Sequence, residues 1–258
     1  LLIFSQMVGA TRWILLSVVA VATASTSDGD APSLRIWPLP QQQTCNVSST
    51  ATPAALAVNW AFSPPPNVTS FVVTSALSRY RPLLGPGTAT GTLKLVRVTV
   101  SGDSSAALSS NTSYRYSVST SESNSSVVDV VADSVYGVGY ALETLSQILD
   151  AKECATFSVV DEPEFVHRGL LIDVGRRFYP VDFVKKLLDA MSSLKMNVLH
   201  MHLSEQCFRV QSNTFPQLSS APCIYSETNL TNTGVYSHAD IADLVTYANV
   251  RGVRVIPE

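Results

Sequence analysis

Arg176 follows Asp173 by three residues, just past the apolar run Gly169–Ile172. A guanidinium beside a carboxylate has two chemical uses. Its planar fork can hold two oxygens of a ligand, either hydroxyls or a carboxylate. It can equally pair with Asp173 or with the next loop, and the spacing alone supports both. His200 and His202 alternate within Asn197-Val-Leu-His-Met-His-Leu203, so both rings project from one face of a strand. With Glu205 they could ligate a metal, although histidines in a buried strand more often serve as hydrogen-bonded core residues. Glu205 lies past the strand's end, placed to accept ligand hydroxyls or to be a solvated loop residue. Glu258 closes the run Val253–Pro257 toward the same side, and as the last residue it is open to fraying. There is no Gly-rich phosphate loop, Gly-x-Ser-x-Gly elbow or His-Glu-x-x-His helix. No two acids close in sequence declare themselves as a general-acid couple.

The elements that carry these residues repeat one pattern. Gly169–Ile172 reads as a strand. Val181–Leu194 reads as a helix, with Val181, Val184, Leu187, Leu188, Met191 and Leu194 on one face. Val198–Leu203 is a second strand, Ser204–Tyr236 a long loop, His238–Val250 a second helix and Val253–Pro257 a third strand. Ser237 is a candidate N-cap with Asp240 in the first turn, and Gly252 sits where a positive φ is often needed. Strand, helix, strand in this order makes a parallel sheet. Such sheets place active sites at the carboxyl ends of their strands, where Asp173, Arg176, His202, Glu205 and Glu258 all fall. Three parallel strands with an open edge are not a finished domain, so the chain is expected to be truncated.

Residues 34–160 form a first region without a catalytic motif. Phe71–Val73, Thr92–Val100, Tyr114–Val118 and Val127–Ala132 read as strands, separated by the serine-rich turns Ser101–Ser113 and Ser119–Ser126. Ser134–Leu149 turns helical. The expected fold class is α/β, with a small α/β domain (34–160) before the parallel unit (164–258).

The 258 residues are 46% hydrophobic and carry a formal charge of −3, which supplies no basic surface and argues against a nucleic-acid partner. Residues 1–24 read as a signal peptide. Arg12 precedes the apolar run Trp13–Val21, which is far shorter than the ~20 residues of a membrane span, and Ala22-Thr-Ala24 resembles a cleavage site. Residues 25–33 are a polar linker, so no membrane span is expected in the mature chain. Asn46, Asn67, Asn111, Asn124 and Asn229 begin Asn-x-Ser/Thr sequons, which agrees with a secretory, lysosomal or extracellular glycoprotein. Of Cys45, Cys154, Cys207 and Cys223, the pair Cys207 and Cys223 brackets a loop and is the simplest disulfide to expect. No Cys-x-x-Cys is present, and neither a metal nor another cofactor is expected.

Four blocks of the chain resemble glycoside hydrolase family 20, the β-N-acetylhexosaminidases. Val135-Tyr-Gly-Val-Gly-Tyr-Ala-Leu-Glu-Thr-Leu-Ser-Gln147 resembles the last helix of the family's accessory domain. Asp161-Glu-Pro-Glu-Phe-Val-His-Arg-Gly-Leu-Leu-Ile-Asp173 resembles the start of its catalytic barrel. Lys195-Met-Asn-Val-Leu-His-Met-His-Leu203 is similar to its second strand. Tyr236-Ser-His-Ala-Asp-Ile241 through Arg251-Gly-Val-Arg-Val-Ile-Pro-Glu258 is similar to its second helix and third strand. Leu34-Arg-Ile-Trp-Pro-Leu-Pro40 resembles the family's first strand.

The resemblance implies an accessory domain and the first three strands of a (β/α)8 TIM barrel. It implies removal of terminal β-linked N-acetylglucosamine or N-acetylgalactosamine from glycans, with the substrate's 2-acetamido oxygen as nucleophile, an exception to the two-carboxylate scheme. It implies that Arg176 and Glu205 bind substrate and that Asp173, His202 and Glu258 support them. The family's Asp-Glu pair follows strand four, so these residues alone are expected to be inactive. Met201, Glu205-Gln206 and Arg177 depart from the family pattern, the first two expectedly near the substrate pocket. A non-catalytic carbohydrate-binding protein of the same fold is the alternative reading, and both a monomer and a homodimer stay open.

Overall fold

The computed structural model describes residues 34–47, 53–66, 70–205, 207–220 and 234–258, all within one compact unit, Pro32–Glu258. The expected signal peptide and linker, Asn67, Asn229 and Cys223 lie outside the described residues.

Six strands build the first sheet. They are β1 (Gln42–Asn46), β2 (Leu56–Ser63), β3 (Leu93–Asp103), β4 (Tyr116–Thr120), β5 (Val127–Ser134) and β6 (Thr156–Asp161), in spatial order β1-β6-β4-β5-β3-β2. β2, β3 and β5 run parallel to one another, while β4, β6 and β1 pair antiparallel. β5 reads Val-Val-Asp-Val-Val-Ala-Asp-Ser, and Val128, Val130 and Ala132 are buried on the period of two that a strand with a core face requires.

Two helices cover this sheet. α1 spans Phe71–Leu83, where a strand is expected over Phe71–Val73. The Ser70 hydroxyl accepts from Val72 N at 3.2 Å, and Val72, Val73, Ala76 and Tyr80 bury one helical face. Taken alone the pair Val72-Val73 has strand propensity, and the 3.6-residue period shows only over the longer stretch to Tyr80. α2 (Val135–Ala151) is capped by Ser134, whose hydroxyl accepts from Tyr136 N and Gly137 N. α1 packs on α2, and α2 on β3, β4 and β5. Residues 34–40 form no strand; the first strand begins at Gln42 instead.

A disulfide joins Cys45 on β1 to Cys154 just before β6. Cys207 is also disulfide-bonded.

The second sheet is β7 (Gly169–Asp173), β8 (Val198–His202) and β9 (Arg254–Pro257), all parallel in the order β7-β8-β9. α3 (Val181–Ser193) connects β7 to β8. The 204–236 segment carries the short α4 (Gln217–Ser220), and α5 (His238–Asn249) leads to β9. Ser237 caps α5 in a reciprocal box with Asp240. Gly252 takes φ +71°, and an added Cβ would lie 3.2 Å from the Tyr114 ring, so both its backbone and its neighbour exclude a side chain. Val184, Leu188, Met191, Leu199, Met201, Leu244 and Ala248 fill the core under this sheet.

Tyrosines seam the two sheets together. Tyr114 donates to Gly252 O at 2.9 Å, Tyr136 to Asn249 Oδ1 at 3.2 Å and Tyr140 to Lys195 O at 2.7 Å, and on the first sheet's side of this seam the rings of Tyr114 and Tyr140 stack at 4.8 Å. Lys195, in the turn between α3 and β8, is buried. Its ammonium donates to Tyr116 Oη at 2.6 Å, Thr144 Oγ1 at 2.9 Å and Asp161 Oδ2 at 3.1 Å.

Candidate active site

The carboxyl ends of β7, β8 and β9 bring six residues, Asp173, Arg176, His200, His202, Glu205 and Glu258, into one chain of contacts. Val174 N and Gly175 N both donate to His202 O at 3.0 Å, which fixes the turn after β7 onto the end of β8. Asp173 Oδ1 accepts from Arg176 N at 2.9 Å, a side-chain turn that folds the arginine back over the strand end. Asp173 Oδ2 then accepts from Arg176 Nη1, and Glu205 Oε1 accepts from Arg176 Nη2 at 2.7 Å. Gly175 lets the loop approach, since an added Cβ would stand 3.2 Å from Glu205 Cβ. Glu205 Oε1 also lies 3.1 Å from His202 Nε2. On the other side, Glu258 Oε2 lies 2.8 Å from His202 Nδ1 and 3.1 Å from His200 Nε2. Glu258 is held by the ladder: its N donates to Met201 O and its O accepts from Leu203 N.

The charges set the protonation states. His202 faces a carboxylate at each ring nitrogen, and its hydrogen bonds to Glu258 and then Glu205 raise its pKa above the ordinary histidine range. Glu258 is held below the usual carboxylate range, chiefly by its hydrogen bond with His202. Burial pushes the Asp173 carboxyl up, but the Arg176 backbone hydrogen bond and guanidinium outweigh it, so the net shift is down. The Arg176 side chain remains 54% exposed. The arrangement presents a preoriented guanidinium at a rim of carboxylates, suited to neutral polyhydroxyl ligands. Among the described residues no group of three or more His, Cys, Asp or Glu side chains is disposed to hold a metal ion.

Arg176 is paired with Asp173 and Glu205, and its side chain still reaches solvent. Met201 corrects an expectation. It is buried in the core beneath the sheet, on the strand face opposite His200 and His202, and not beside the pocket. Arg209 was not anticipated. It is buried, with Nε donating to Val174 O at 3.0 Å and Nη1 to Gly234 O at 3.1 Å, so it ties the long loop to the turn that presents Arg176. A lone arginine between apolar residues in Cys-Phe-Arg-Val was the available signal. Asn46, Asn111 and Asn124 are exposed.

Residues 165–258, which contain the whole cluster, match the glycosyl hydrolase family 20 catalytic domain. This stretch of the chain belongs to that family. The beta-hexosaminidase subunit A2 of Dictyostelium discoideum is 32% identical over 96% of this chain and 45% of its own length. The beta-hexosaminidase subunit beta of Felis catus is 44% identical over 49% of this chain and 24% of its own. The chain thus spans less than half the length of these relatives. The chitobiase of Flavobacterium johnsoniae superposes with a TM-score of 0.67 at 26% identity, covering 87% of this chain and 34% of its own. The α/β fold of the family 20 enzymes is shared.

Proposed function

We propose that the protein is a β-N-acetylhexosaminidase-like glycoside hydrolase that removes terminal β-linked N-acetylglucosamine or N-acetylgalactosamine from glycans. The observation that carries this reading is the meeting of Asp173, Arg176, His202, Glu205 and Glu258 at the carboxyl ends of three parallel strands in a stretch that belongs to family 20. In this reading residues 164–258 are the first three strands of a (β/α)8 barrel, and residues 34–160 are its accessory domain. Arg176 and Glu205 hold sugar hydroxyls, and Asp173, His202 and Glu258 fix their positions.

Bond cleavage follows the substrate-assisted route. The 2-acetamido oxygen attacks the anomeric carbon, so the nucleophile arrives already tethered and little orientational entropy is lost. The proton donor and the aspartate that orients the acetamido group are not among residues 34–258, which supply the binding side of the pocket. A secretory route, ending in the lysosome or outside the cell, accompanies this reading and is supported by the sequons. Among the described residues no helix is long and apolar enough to cross a membrane.

The test is release of a chromogenic aglycone from an aryl β-N-acetylglucosaminide. A form spanning the relatives' full length should turn it over and leave the matching β-glucoside intact. Residues 25–258 alone should bind N-acetylglucosamine without turnover, because loss of a general acid costs ~10²–10⁴-fold. Turnover by residues 25–258 at the full-length rate would overturn the assignment of the acid. Binding without hydrolysis by the full-length form would favour the non-catalytic carbohydrate-binding alternative.

A further inference from the structure

Asn111, Phe165 and Val166 line one groove of about 350 Å3, between the turn preceding β4 and the segment leading into β7. That volume is at the low end of the ~300–1,000 Å3 typical of small-ligand pockets. Two of its lining residues are unusual for a water-facing surface: Phe165 is 69% exposed and Val166 65%. Adjacent exposed apolar side chains of this size mark a surface that something covers. The rim is polar, with Arg115 and Glu162 in an ion pair at 3.9 Å and Ser110 beside them.

Asn111 stands at the tip of the turn, which is fixed by Asn111 N donating to Ser109 Oγ and Ser109 N donating to Thr112 Oγ1. Among the described residues its side-chain amide makes no hydrogen bond. The two other described sequon asparagines differ. Asn46 donates its amide to Thr156 Oγ1 at 3.0 Å, and Asn124 Oδ1 accepts from Ser126 N and Oγ.

We propose that Asn111 carries an N-linked glycan whose first sugars lie in this groove, against Phe165 and Val166. On attachment, Asn111 Nδ2 forms a bond to the anomeric carbon of an oligosaccharide supplied as its lipid diphosphate. The anomeric carbon–oxygen bond breaks, the lipid diphosphate leaves with that electron pair, and the amide gives up one proton. A sugar suits the site on both counts, since its C–H face covers the phenyl ring while its hydroxyls meet the polar rim. The covalent tether makes occupancy intramolecular, so weak contacts suffice. The proposal rests on the secretory route inferred above.

The experiment uses the protein secreted from a eukaryotic host, digested with a glycan-releasing amidase and read by peptide mass spectrometry. The Asn111 glycan should be released about tenfold more slowly from the folded protein than after denaturation, the equivalent of ~1.4 kcal/mol of contact. Phe165→Ser should abolish that difference, and Phe165→Tyr should keep it. Release from Asn124 should respond to neither variant. Glycan on another sequon with Asn111 bare would overturn the proposal alone, as would release from folded Asn111 at the denatured rate. A chain bare at every sequon would overturn the secretory reading together with it.

Discussion

Arg176 is held from two sides, by Asp173 and Glu205, which fixes the plane of its guanidinium before any ligand arrives. Lysine at this position keeps the charge but not the fork, so Arg176→Lys should lose a charged hydrogen bond worth ~1.5–3 kcal/mol. In steady-state kinetics of the full-length form that is about a 10–150-fold fall in kcat/KM with an unchanged circular dichroism spectrum. Near-unaltered kinetics would make Arg176 structural. His202 is the joint between Glu205 and Glu258, and both its ring nitrogens need a proton to satisfy both carboxylates. A raised folded-state pKa means this contribution is complete below the unfolded value and is lost as pH rises through the folded one. Glu258 behaves oppositely, its contribution being lost as pH falls through its lowered pKa. The joint is therefore tightest between those two values. In an NMR titration, the His202 ring should show a midpoint above that of a free histidine, and Glu258→Gln should bring it down. A midpoint unmoved by Glu258→Gln would sink the clamp. These residues were legible in the sequence because each sits at a strand end that local pattern reveals. Arg209 and Lys195 were not, because their partners lie in distant segments.

The elements that position the cluster depend on the turn between α3 and β8. Lys195 enters it with φ +57° and sends its ammonium into contact with β4, α2 and β6. Desolvation lowers its pKa despite Asp161, so burial outweighs the attraction of the partner. Such a pair specifies where elements sit more than it stabilises them. Removing one member is another matter: Lys195→Met leaves Asp161 buried without its counter-charge, and should cost ~3–5 kcal/mol in urea unfolding. Lys195→Met with Asp161→Leu should recover part of that loss; a neutral single mutant would refute the role. Periodicity found α2, α3, α5 and the three parallel strands within a residue or two. It missed β2, whose pairing with β3 shifts register between Leu56 and Ala61, and β6, a short strand whose place in the sheet is set by partners far along the chain. α1 was hidden by the local β-branched pair Val72-Val73, although the Ser70 cap and the helical spacing of Val72, Val73, Ala76 and Tyr80 are present in the sequence.

Across the whole molecule, the Cys45–Cys154 bond closes a loop of 109 residues that contains β2 to β5 and both α1 and α2. Cross-linking so long a loop restricts the unfolded chain, so Cys45→Ser with Cys154→Ser should lower unfolding stability by ~2–5 kcal/mol, checked by denaturant titration. Equal midpoints for both forms would show that β1 is held by its ladder alone. The tyrosine seam also makes the fold readable by light. Burial is the main cause raising Tyr114, Tyr116 and Tyr140, and it pushes Tyr136 up to about 12. In an unfolded chain the same phenols ionise near the ordinary tyrosine value of ~10. Above that value the unfolded state holds fewer protons than the folded one, so stability falls as pH rises. Phenolate colour from the seam should therefore appear together with the loss of helical ellipticity, in one shared transition. An alkaline ultraviolet titration would then report the separation of the two sheets without any added dye.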